Sequence, residues 1–172
     1  MFERIFVTTD GSDLGNAALP YAANLARHYA APLTLAYVAP DPYSHLAVLG
    51  PYTASYALEH ERGLQEGQQI LNRSVLLFGE QEVRPLLLDG QAQDVADCLM
   101  QSATSEGAKL IVMSSHGYGG LVQVLLGSVA ARVLHQATIP VMIVRPQKIE
   151  PLPLRPSIEQ RGAHGRSVVV GG

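Results

Sequence analysis

Ser114-Ser115-His116-Gly117 is followed, after nine residues, by Gly127-Ser128. The stretch begins as an apolar run, Leu110 to Met113, and ends where a helical pattern opens at Ser128. A strand, a glycine-rich turn and a helix start in that order make an anion site from backbone N–H groups. Gly117 offers dihedral freedom and lets backbone approach a phosphate, and Gly119 and Gly120 extend that freedom. Gly127 uncovers the N–H groups of the next helix, Ser128 adds a hydroxyl, and the helix dipole favours negative charge there by about 0.3–1 kcal/mol. The plainer alternative is a flexible connection in which Ser128 only caps the helix. Asp10 ends the first apolar run, where it can organise Mg²⁺ on phosphates, accept from a ribose, or form an Asx turn. His116 acts as a base only with a substrate in reach, and a hydrogen bond within its own loop is the favoured reading.

Other chemistries lack their residues. The G-x-S-x-G elbow and the Gly-Lys-Ser/Thr phosphate loop are absent, and no Ser/His/Asp order suggests a hydrolase. Six scattered histidines and one cysteine, Cys98, give no transition-metal pattern and no disulfide. Cys98 reads as a small core residue. A fast motor or kinase is not expected, and at most slow turnover is. A net charge of −3 gives no drive toward nucleic acid or an anionic membrane. Apolar residues make up 47% and charged residues 16%, a globular composition without a membrane span or signal peptide, so the cytoplasm is the expected compartment.

The elements that must hold these residues alternate. Ile5–Thr9 reads as a doubly buried strand, capped into a helix by Ser12 or Asp13. That helix carries a stripe of Leu14, Ala17, Ala18, Tyr21, Ala22, Leu25 and Tyr29, with a kink expected at Pro20. Leu33–Val38 is a second strand. A loop, 39–53, contains Tyr43 and Tyr52, which with Tyr56 could close over a base but more often pack on a surface. A helix spans about 54–79, with Leu64, Leu71, Val75 and Phe78 on one face and Gly63 and Gly67 weakening it. A third strand, Val83–Leu88, turns at Asp89-Gly90 into a helix over 91–106, with Gly107 beyond its end. Lys109–Met113 is a fourth strand. The helix from Ser128 to Gln136 turns Val129, Val133, Leu134 and Ala137 inward, and Val141–Arg145 is a fifth strand. Such alternation predicts right-handed crossovers and a three-layer α/β/α sandwich over 1–146, with ligands beyond the carboxyl ends of the strands. Residues 147–172, rich in proline and glycine, read as an irregular extension.

The chain resembles the universal stress protein family, whose nucleotide-binding members carry G-x2-G-x9-G-[ST]. The resemblance covers about residues 2–145: Ile5 to Ser12, the second strand ending Tyr37-Val38, Lys109 to Gly117, and Leu125 to Ala130 continuing to Pro140-Val141. It implies a five-stranded parallel sheet in the order 3-2-1-4-5, ATP or AMP in some members, and often a homodimer through the last strand, Val141 to Arg145 here. It places Thr8 and Asp10 by the nucleotide, with any Mg²⁺ reached through Asp10, and Val38 backbone by adenine. Met113, Ser114, His116 and Gly117 would line the ribose and phosphate turn. Gly127, Ser128 and Val129 would hold phosphates.

Two positions depart from the family pattern. Ser114 stands where the first glycine belongs, and its Cβ is expected to crowd the turn and exclude strained dihedrals. Tyr118 stands where many members have lysine or arginine, which weakens the hold on a triphosphate. The leading expectation is an adenine-nucleotide-binding, dimeric stress-response regulator. The alternative is a nucleotide-independent dimeric interaction protein with a degenerate site.

Overall fold

The computed structural model of the 172-residue chain describes residues 2–41, 54–90, 93–117 and 126–146. Tyr43, Tyr52, Tyr118, Gly119, Gly120 and the 147–172 extension lie outside the described residues. Five strands, β1 (Ile5–Thr8), β2 (Leu33–Pro40), β3 (Arg84–Gly90), β4 (Leu110–Ser114) and β5 (Val141–Val144), alternate with five helices. The helices are α1 (Asp13–Asn16), α2 (Leu19–Tyr29), α3 (Ala54–Leu76), α4 (Val95–Ser105) and α5 (Ser128–Gln136). The sheet is parallel throughout, in the order β3-β2-β1-β4-β5.

Both faces of the sheet are covered. Ile5 and Val7 of β1 pack with Ala22 and Ala26 of α2 and Leu71 of α3. Phe6, between them in sequence, points the other way and packs with Leu99 of α4 and Val133 of α5. That alternation follows from the two-residue period of a strand, and it explains why β1 reads as an unbroken apolar run. Among the described residues no helix is long and apolar enough to cross a membrane.

Several sequence expectations need correction. Pro20 does not kink one helix; it opens a second, in the first turn of α2, where its missing N–H has no intrahelical partner to lose. The break after Asn16 rotates the buried face: Ala18, Leu19, Ala22, Ala23 and Ala26 are inside, whereas Tyr21 is 48% and Tyr29 39% exposed. Asp89 and Gly90 extend β3 along Ala39 and Pro40 instead of turning. α4 begins at Val95, because Asp94 caps it by accepting from the Ala96 N–H at 2.9 Å. Leu134 of α5 faces solvent and Ala130 takes the inward place.

Other readings hold in part. Leu71 is buried on α3, whereas Phe78, also buried, lies in the turn after the helix ends at Leu76, and Gly107 takes a left-handed φ of +67° after α4. Tyr56 does not pack on the surface: it is buried at the start of α3, stacks on His60 and donates to Asp41 at 3.3 Å. His60 is half-buried and 3.1 Å from Asp89, so it joins α3 to β3. Cys98 is a core residue whose thiol is pushed up by burial and, secondarily, by the charge of Asp89.

Candidate functional site

The strand order reverses between β1 and β4, whose connections leave toward opposite faces of the sheet. The carboxyl ends of these neighbours must diverge, and the crevice between them is the expected ligand position in a doubly wound sheet. A cavity of about 460 Å³ lies there. Thr8, Asp10, Val38, Met113, Ser114, His116, Gly117, Gly127, Ser128 and Val129 all line it. Residues from four separate parts of the chain are thereby brought to one place.

The β1 end is held by a turn of side-chain hydrogen bonds. Asp10 Oδ1 accepts from the Ser12 N–H at 3.0 Å and from Ser12 Oγ at 2.6 Å. Ser12 Oγ in turn caps α1 by accepting from the Gly15 N–H at 2.9 Å. Asp10 thus makes the Asx turn and also lines the cavity. Gly11 needs its left-handed φ of +80° to pass between them, and its N–H reaches Thr9 Oγ1 at 2.9 Å. Thr9 Oγ1 donates to Asn16 Oδ1 at 2.7 Å, and Ser74 of α3 reaches the same oxygen at 3.4 Å. Asn16 thus ties the turn to two elements. Asn16→Ala leaves the buried Thr9 and Ser74 hydroxyls short of an acceptor, and a loss of about 1–3 kcal/mol is expected in urea unfolding. A change below about 0.5 kcal/mol would show the network to be replaceable by water.

The β4 end carries two surprises. Ser114 is a regular strand residue paired with Val144. Among the described residues, Ala30 alone has a positive φ without being glycine, so position 114 demands no dihedral closed to serine. The expected conformational conflict at Ser114 is absent for that reason, and its Oγ lies 3.5 Å from the His116 N–H. Gly117, by contrast, has no left-handed φ. Its value is the missing Cβ, which would stand 1.8 Å from Asp10 Oδ2. Ser115, only 1% exposed, fastens the turn: its N–H donates to Val144 O at 2.8 Å and its carbonyl accepts from the Gly127 N–H at 2.8 Å. Its hydroxyl pairs with His116 Nδ1 at 2.8 Å. His116 is therefore bonded within its own loop.

At the start of α5 the cap is Gly127, at φ −66° and ψ 156°, and Ser128 is the first helical residue. No side chain caps this helix. Its opening N–H groups belong to Ser128, Val129 and Ala130, which line the cavity, and an anion there meets both donors and dipole. The lining also includes an apolar wall of Val38, Leu99, Met113 and Leu126. A flat apolar ring on that wall with an anionic group at α5 satisfies both surfaces. Among the described residues no group of three or more His, Cys, Asp or Glu is placed to hold a metal ion.

The cavity also contains residues that sequence reasoning passed over: Thr9, Gly15, Tyr37, Pro40, Val95, Leu99, Leu126 and Ala130. Tyr37 and Pro40 flank Val38 and could have been found from it. Val95 and Leu99 could not, since an apolar residue at helical spacing has the same signature in a core and in a cavity wall.

Fold and crevice together define a doubly wound α/β protein with its ligand position at the switch point of the sheet. The model of the universal stress protein family matches residues 1–145, and the chain belongs to that family. A universal stress protein of Methanocaldococcus jannaschii is 33% identical over 153 residues, 87% of this chain and 86% of its own length. One of Thermus aquaticus is 32% identical over 146 residues, 84% of this chain and 100% of its own. Among solved structures, UspA of Lactobacillus plantarum superposes with a TM-score of 0.69 at 18% identity, over 84% of this chain and 99% of its own. A universal stress protein in complex with cAMP gives 0.54 at 24% identity, over 84% of this chain and 97% of its own. One of Archaeoglobus fulgidus in complex with dAMP gives 0.52 at 23% identity, over 81% and 95%. At such identities the likeness to solved structures is one of fold.

Proposed function

We propose that the cavity binds an adenine nucleotide, and that the protein is a stress-response regulator whose state depends on that binding. The observation that carries this is the meeting of apolar side chains and the uncapped start of α5 in one crevice at the β1/β4 switch point. A volume of about 460 Å³ falls in the range of small-ligand sites. The cAMP and dAMP complexes of fold relatives support the ligand class. In this reading the base lies on the Val38 side, with Thr8, Met113, Ser114, His116 and Gly117 around the sugar and Gly127, Ser128 and Val129 around phosphate. AMP and ATP are both candidates. With ATP, Asp10 is the carboxylate placed to meet the accompanying Mg²⁺. The protein works in the cytoplasm as a homodimer through β5, an edge strand of the sheet, and native mass spectrometry tests the dimer and any retained nucleotide together.

The direct experiment is isothermal titration with AMP and ATP. At a free ligand concentration 100 times Kd, stabilisation of about 2.7 kcal/mol is expected. That corresponds to a rise in melting temperature of roughly 5–10 °C for a chain of this size. No heat and no thermal shift at millimolar nucleotide would end this reading.

A degenerate-site reading predicts that Ser114→Gly creates or greatly raises nucleotide affinity. The strand geometry at Ser114 argues otherwise. Ser114→Gly is expected to leave affinity within about threefold and to cost about 0.5–1 kcal/mol of stability, the ordinary penalty of glycine in a strand. Titration of the variant beside its parent decides between the two.

A further inference from the structure

Asp10 is confined by space as well as by hydrogen bonds. A Cβ at position 15 would stand 2.0 Å from Asp10 Oδ1 and 2.9 Å from its Cγ. A Cβ at position 117 would stand 1.8 Å from Oδ2 and 2.8 Å from the same Cγ. Each distance is shorter than a carbon can accept, so the carboxylate lies in a slot with one oxygen against each glycine. The two walls come from segments far apart in sequence, α1 and the turn after β4. Neither glycine has a left-handed φ, so backbone conformation does not explain either one. Gly15 is helical, a place where alanine is the better residue by propensity. Glycine there needs another cause, and the slot supplies it.

We propose that Gly15 is a positioning residue for the nucleotide site: it lets the Asp10 carboxylate lie between α1 and Gly117, at the cavity wall. The inference rests on the reading of the cavity as a nucleotide site. With a methyl at position 15 the carboxylate cannot move toward Gly117, which closes the opposite side. The side chain therefore has to rotate to clear the added carbon, which would also stand 3.2 Å from the Asp10 backbone nitrogen. That rotation breaks both bonds to Ser12 and changes where the negative charge sits relative to the start of α5.

The test is a double-mutant cycle of Gly15→Ala and Asp10→Ala, read by AMP titration and by hydrogen exchange of the Ser12 amide without ligand. Gly15→Ala is expected to weaken AMP binding about ten- to hundredfold, the worth of one hydrogen bond from the ribose to the charged Asp10 carboxylate. It is also expected to speed exchange at Ser12, because that N–H loses its acceptor. In the Asp10→Ala background, Gly15→Ala is expected to change neither readout. A merely structural role for Gly15 predicts additive losses instead, and additivity overturns the proposal. So does a parent that binds AMP while Gly15→Ala leaves both affinity and Ser12 exchange unchanged. A parent that binds no AMP removes the nucleotide reading and this role with it. Should Gly15→Ala alone fail to fold, recovery of folding by Asp10→Ala supports the slot, and failure of the double variant overturns it.

Discussion

Phe6→Ala is expected to lower the unfolding free energy by about 3–5 kcal/mol, the range for emptying a buried aromatic site. Phe6 is 1% exposed and sits on the central strand, in register with Thr34 of β2 and Ile111 of β4. It is surrounded on its face of the sheet by Ala36, Leu99, Met113, Ala130 and Val133. These belong to two strands and two helices that also pack on one another, so collapse around the void would disturb several elements at once. For a chain of this length the loss corresponds to roughly 6–20 °C in melting temperature. Chemical denaturation should show a lower midpoint with an unchanged slope, since the surface exposed on unfolding hardly alters. Leu76→Ala is the contrasting case. That side chain is 77% exposed, and its removal should stay within about 0.5 kcal/mol. A Phe6→Ala cost below about 1 kcal/mol would mean that this layer of the core is loosely packed.

Much of this architecture is legible in the sequence for a physical reason that Phe6 illustrates. A strand buried on both faces must be apolar at successive positions, so Ile5, Phe6 and Val7 announce their place. The alternation of such runs with helical patterns then leaves a parallel, double-covered sheet as the sensible arrangement. Strand order is a different matter. Nothing in the periodicity states that β4 lies beside β1, and that expectation came from the family resemblance. The break at Pro20 is not legible, because proline is compatible with a kink and with a first turn alike. Which of the two occurs depends on Ser12, Asn16 and the turn they complete, and so on tertiary bonds to Thr9 and Ser74. At the cavity, the polar and glycine positions were legible because strand ends at a switch point have few other uses for such residues. Leu99 and Val95 were not, since their apolar character serves a core equally well. Gly15 was overlooked because its importance lies in a contact with Asp10 that spacing cannot reveal.

Gly127→Asp separates stability from binding more sharply than any truncation at the site. Gly127 caps α5 in the extended conformation that capping aspartates adopt, and it offers the helix no side-chain acceptor. An aspartate there can accept from the opening N–H groups of α5 and set its charge against the helix dipole, a gain of about 0.3–1 kcal/mol. Against this stands one tight contact, since a Cβ would lie 3.1 Å from the Ser115 carbonyl oxygen. Stability is therefore expected to change little. Binding is expected to fall steeply, because the new carboxylate takes the donors that an incoming phosphate needs and repels it as well. Two charges ~5 Å apart at an effective dielectric constant of about 20 interact by roughly 3 kcal/mol, which is about a hundredfold in Kd. The loss should shrink for adenosine, which carries no phosphate, so titration of AMP and adenosine against parent and variant isolates the α5 contribution. If Gly127→Asp weakened both ligands equally, the phosphate would have to lie elsewhere in the cavity. An unchanged AMP affinity would remove the α5 N-terminus from the site altogether.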